Sequence, residues 1–245
     1  MARPQKATIQ NELGGTIGAL ILGGSRYLEK TDFVVRSIDA QIDKLQKVDA
    51  LAASIHRGML YHITGELDES LYWLDNARRL KADPHNEFDL MAAIVLSNLG
   101  YFSRAAQLLS KVADFFKLSN ANLLLLTGSW SELSQLNERL DSSKDEEGVA
   151  AIAKAQRCCM TLKQIGVSED QVKAMLDVAG EVMRSHRMLF LEDAPIVRET
   201  GDVVLYQLLV KADRREAIKM TDEVLMKMIQ RDLDVPGLAF SFIAG

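Results

Sequence analysis

LAASIHRGMLYHITGELDESLYWLDNARRL, residues 51–80, holds two amphipathic helices separated by one glycine. Apolar residues recur at three- and four-residue steps on both sides of Gly65, through Ala52, Ile55, Met59 and Ile63 before it and Leu71, Leu74 and Ala77 after it. That period belongs to a helix packed on one face. Asp68 and Glu69 open the second helix and Arg78, Arg79 and Lys81 close it, an order that complements the helix dipole. Pro84 is expected to stop the element.

The arrangement then recurs. Phe88, Met91, Val95 and Leu99 precede Gly100, while Ala105, Leu109, Val112 and Phe116 follow Tyr101. Upstream, Thr31 and Asp32 introduce a stripe of Val35, Ile38, Ile42 and Leu45. Downstream, three pairs with capping-box spacing, Ser129 with Glu132, Ser143 with Glu146 and Ser168 with Gln171, mark helix starts. The first leads the Trp130, Leu133, Leu136, Leu140 stripe, and the others lead helices running to Ile165 and Phe190. From Thr31 to Glu199 no strand period competes, and the polar stretch Asp141–Gly148 reads as a connection between two halves.

Gly65 and Gly100 are 35 residues apart, and the residues around them resemble the tetratricopeptide repeat. Gly58, Tyr61, Gly65, Ser70, Leu74 and Ala77 occupy the family's small, aromatic, glycine, small, bulky and alanine positions. Ala93, Leu96, Gly100, Ala105, Leu109 and Val112 form the second unit. The likeness covers residues 51–116. Ser54 stands where the family has tryptophan, Phe88 is offset from that slot and Pro84 lies two residues late. The resemblance implies a ligand groove lined by the first helix of each pair, here Ile55, Met59, His62, Leu90, Ile94 and Ser97, with Asn98 on its edge. The side chains of the family's carboxylate clamp are not reproduced. An unrelated helical bundle is the competing reading.

After Gly201 the pattern changes. Val203–Val210 is a strand apolar on both faces, Asp213–Leu233 has helical spacing and Leu238–Ile243 is a second strand, which together make a βαβ unit. Two strands alone are marginal in water, so a third is expected from Thr16–Leu22 or from the same module of a second molecule. The expected fold is mainly α: a tetratricopeptide-like helix-turn-helix array with a small C-terminal βαβ module. Residues 1–30 form an N-terminal segment acting as extra strand or packing helix, 31–199 the helical domain and 200–245 the βαβ module.

With 29 Lys and Arg against 34 Asp and Glu the net charge is −5, which disfavours nucleic acid as a partner. A basic cluster nevertheless flanks the βαβ unit, with Arg184, Arg187, Arg198, Arg214 and Arg215 as a possible patch for an acidic partner or RNA, extended by Lys211 and Lys219. The apolar run Ile17–Leu22 is too short to span a membrane and lacks a cleavage site, so a cytoplasmic protein is expected. Cys158 and Cys159 are adjacent on a helix and diverge by about 100°, which suits packing thiols rather than a disulfide.

Gly18–Ser25 has the glycines and serine of a phosphate-binding loop, with Gly24 where the lysine belongs. Among His56, His62, His85 and His186 no pair has metal-ligand spacing, and no serine elbow or activated thiol is visible. The acidic clusters Asp68-Glu69 and Asp145-Glu146-Glu147 fit helix starts. No catalytic residue, metal or cofactor is expected. The functional expectation is a protein-binding adaptor, dimeric through the C-terminal module. Its alternatives are an antitoxin-like neutraliser of one dedicated protein and an RNA-associated factor.

Overall fold

The computed structural model describes residues 3–23, 26–83, 86–112, 121–133, 146–190 and 196–245. Ten helices are named here: α1 Arg3–Gly23, α2 Phe33–Gln46, α3 Ala50–Ile63, α4 Leu67–Leu80, α5 Glu87–Asn98, α6 Phe102–Lys111, α7 Ala121–Leu126, α8 Glu146–Gln164, α9 Glu169–Ser185 and α10 Arg214–Gln230. A further helical turn covers 130–133. Consecutive helices pack side by side, so the chain is a helical array. Pro84, Phe116, Leu136, Leu140 and Ser143 lie outside the described residues.

One turn recurs along the array. Gly65, Gly100, Gly128 and Gly166 have φ of +80, +73, +68 and +76°. After each, the next residue's N–H reaches a carbonyl five residues back: Glu66 to Tyr61, Tyr101 to Leu96, Ser129 to Leu124 and Val167 to Leu162. This six-to-one bond satisfies carbonyls orphaned at the helix end, and the left-handed residue before it favours glycine. Between α3 and α4 the packing is close. Ser70 Oγ donates to the Gly58 carbonyl at 2.8 Å, and a β-carbon on Gly58 would stand 3.1 Å from Leu74. Of the three capping boxes, Ser168 with Gln171 forms both bonds. Ser129 instead pairs its hydroxyl with Thr127, and Glu169 caps the 130–133 turn through the N–H groups of Trp130 and Ser131.

The C-terminal sheet has the order β1-β2-β3, with β1 Ile196–Thr200, β2 Val203–Val210 and β3 Leu238–Ala244. β2 and β3 are parallel, joined by α10, which is the expected βαβ unit. The third strand corrects the sequence reading. It is β1, paired antiparallel to β2 through the two-residue turn Gly201-Asp202, and all of it but Thr200 falls within the stretch read as purely helical. Thr16–Leu22 lies within α1, a helix that packs through Leu13 and Ile17 on α2 and α3. β2 is also buried on one side rather than two: Val204, Tyr206, Leu208 and Val210 are buried, while Leu205, Gln207 and Leu209 are half-buried. The largest core runs continuously from α5 and α6 through α9 to the sheet and α10.

Candidate functional site

The seven residues expected to line a groove do not share an open surface. Met59 packs against the cluster built around Leu13 and Ile17 of α1, so α1 covers that side of α3. A β-carbon on Gly14 would stand 3.7 Å from the His56 ring. His62 is fully buried and Ile55 half-buried. On α5, Leu90 packs on the largest core, Ser97 is buried with its hydroxyl on the Ala93 carbonyl, and the Asn98 carbonyl accepts the Phe190 N–H at 2.9 Å. Ile94 alone of the seven is exposed, at 38%.

The basic residues are dispersed as well. Arg184 donates to the Gly100 carbonyl and stacks 4.0 Å from the Tyr101 ring centroid. Arg187 pairs with Glu29 at 2.8 Å. Arg214 and Arg215 are exposed on α10. Arg198 lies on β1, and its side chain is outside the described set.

A cleft of about 350 Å³ opens instead between α4, α5 and α6. Its α4 wall is Leu71, Leu74, Asp75 and Arg78, and its α6 wall is Arg104, Gln107, Leu108 and Lys111. Both sets follow the i, i+3, i+4, i+7 spacing of a single helix face. α5 supplies the floor through Phe88, Asp89, Ala92 and Leu96, roughly opposite on the helix wheel to Leu90, Ile94 and Ser97.

Charge divides the walls. Arg78 bonds Asp75 and approaches Asp89 at 3.4 Å, and Arg79 reaches Asp75 at 2.6 Å, so the α4 side is internally neutralised. The Arg78 hydrogen bond holds the Asp75 carboxyl below its ordinary range. Arg104 and Lys111 on the other wall make no ion pair among the described residues; Arg104 only lies over the Tyr101 ring at 5.5 Å. The cleft therefore presents the half-buried Leu71, Ala92 and Leu108 beside two cations that no described residue pairs. A second cavity of about 460 Å³, beside Tyr27 and Gly65, differs: its Lys30 and Arg187 are bound to Glu66 and Glu29.

Sequence reasoning missed the cleft because it asked which faces line the inside of an array. The signal was present as Arg104, Gln107, Leu108 and Lys111, an exposed stripe mixing two cations with a leucine. Elsewhere, neither cysteine is in a disulfide, Cys158 is buried, and burial pushes the Cys159 thiol up to about 11, against nucleophilic use near neutrality. No group of three metal-ligating side chains gathers among the described residues. No described helix is long and apolar enough to cross a membrane. No protein-family model, curated protein or solved structure matches the chain.

Proposed function

We propose that this protein is a protein-binding adaptor that holds a short segment of a partner in the α4–α5–α6 cleft, with an acidic side chain of that segment against Arg104 and Lys111 and an apolar one on Leu71, Ala92 and Leu108. The observation that carries the reading is the pair Arg104 and Lys111, without an ion pair among the described residues, set beside the half-buried Leu71, Ala92 and Leu108. In the cavity beside Tyr27 and Gly65, by contrast, Lys30 and Arg187 are held by Glu66 and Glu29. The cleft's lining offers apolar surface and fixed charge but no nucleophile paired with a base, which favours binding over catalysis. The helix–glycine–helix pairs at Gly65 and Gly100, with Ser70 and Leu74 seated on Gly58, support a degenerate tetratricopeptide-like array. In that frame the cleft lies between the second helices of two successive pairs, on the side away from the family's usual groove.

The test is selection of a random peptide library against the full chain and against the Arg104→Glu, Lys111→Glu double variant. The expected result is enrichment of peptides carrying Asp or Glu next to Leu, Ile or Phe, with affinity weakened about tenfold or more by the double variant. Peptides that bind both proteins equally, or no enrichment, overturn the reading. Enrichment of one sequence family alone favours the neutraliser of a single dedicated partner.

A further inference from the structure

Among the described residues, α10 is covered on one side only. Ala217, Met220, Val224 and Met228 face the sheet and α9. On the outer side Ile218, Leu225, Met226 and Ile229 are 53, 40, 57 and 60% exposed. Ile218, Asp222, Leu225 and Ile229 follow the four-three-four spacing of a helix-pairing seam. One apolar residue in the open is ordinary; four on one helix face form a patch.

The two ends of this stripe differ in charge. Arg214 and Arg215 follow the capping Asp213 at its start, and Lys219 lies 3.8 Å from Glu223. At its end Lys227 and Arg231 share the Glu181 carboxylate of α9 at 2.6 Å each, and the exposed Asp232 and Asp234 outweigh the one positive charge left over. Such an end-to-end polarity matches itself when a second copy lies antiparallel.

We propose that α10 is a homodimer interface, in which the helix packs antiparallel on α10 of a second copy about a two-fold axis at the level of Glu223 and Val224. This register sets Ile218 beside Ile229 of the second copy, Leu225 beside Asp222 and Arg215 beside Asp232, each contact occurring twice as an isologous interface requires. Asp222 within the seam keeps the association reversible, since a charge there sacrifices some stability for register. The interface is separate from the α4–α6 cleft and does not rest on peptide binding there.

Within one chain Arg215 and Asp232 sit at opposite ends of a helix of roughly 25 Å and cannot meet, so exchanging their charges tests the pairing directly. Sedimentation velocity on the full chain at 1–100 μM, as rough working concentrations, is compared for wild type, Ile229→Glu, Arg215→Glu, Asp232→Arg and the Arg215→Glu, Asp232→Arg double variant, with circular dichroism confirming the fold of each. The expected results are a wild-type dimer, a monomeric Ile229→Glu, a dissociation constant raised about tenfold in each charge single and recovery in the double. A monomeric wild type, a dimer indifferent to Ile229→Glu, or a double variant no tighter than its singles overturns the proposal.

Discussion

His62 sits in α3 with neither ring nitrogen hydrogen-bonded and its surface entirely covered, and burial alone pushes its pKa down to about 4. A buried neutral imidazole in an apolar setting disfavours the proton that the unfolded chain readily takes up near its ordinary value of about 6.5. The folded pKa is therefore the lower one. Its stability contribution is fully present above about 6.5 and drains away as the pH falls through the window down to about 4, reaching on the order of 3 kcal/mol. Urea unfolding of wild type and His62→Leu at pH 7, 5.5 and 4.5 should show the steeper acid loss in the wild type. Equal slopes would mean that His62 takes up a proton without opening the fold. Nothing in the sequence announced this. His62 was legible only as a groove residue, since its exposure depends on how α1 and the neighbouring helices close around α3.

Among the helices, α9 joins parts that are remote in sequence. Its Glu169 caps the 130–133 turn, Asp177 accepts the Ser103 N–H at the start of α6, and Arg184 holds the carbonyl of Gly100. Between these, Gly180 meets Gly100 backbone to backbone: a β-carbon on Gly100 would stand 2.7 Å from the Gly180 Cα, and one on Gly180 would fall inside the Gly100 carbonyl. Gly180→Ala is expected to lose at least about 2–3 kcal/mol by overpacking. Gly15→Ala on α1, where a β-carbon meets nothing within 4 Å, should gain about 0.5–1 kcal/mol from helix propensity. Thermal unfolding of the pair checks both, and a harmless Gly180→Ala would show that α9 can slide off the α5–α6 turn. Most of these elements were readable beforehand. The stripe Val35, Ile38, Ile42 and Leu45 is the buried face of α2, and Val203–Val210 is β2 residue for residue. β1 escaped because Ile196-Val-Arg-Glu-Thr has too few apolar residues to alternate clearly, although Gly201-Asp202 is a two-residue hairpin signal. The cleft escaped for a different reason. Periodicity reports that a helix has an apolar face, but which face stays open was decided by α1 and by residues 188–190, far along the chain from α3 and α5.

The helical array and the sheet meet in one core. Tyr206 of β2 lies 6.4 Å from Trp130, nearly parallel to it, and its hydroxyl donates to the Leu125 carbonyl in α7. A separate βαβ domain would have its own interior; here Trp130, α9, β2 and α10 share one. In a Trp73→Phe variant Trp130 is the remaining tryptophan, so its fluorescence reports that junction alone. Its denaturant midpoint is expected to coincide with the loss of helical circular dichroism. Fluorescence loss at lower denaturant, with most helix retained, would instead mark the sheet and α10 as a unit that detaches first.

The Gly100–Gly180 contact also sets an order of events during synthesis. At about 5–20 residues per second, the 80 residues from Tyr101 to Gly180 take roughly 4–16 s to make, whereas a helix forms within about a microsecond. Over that interval the α5–α6 turn lacks Asp177, Gly180 and Arg184, and Phe102, which the finished protein buries, has no α9 beside it. For those seconds the nascent chain has the α5–α6 turn without the contacts that α9 later supplies to it.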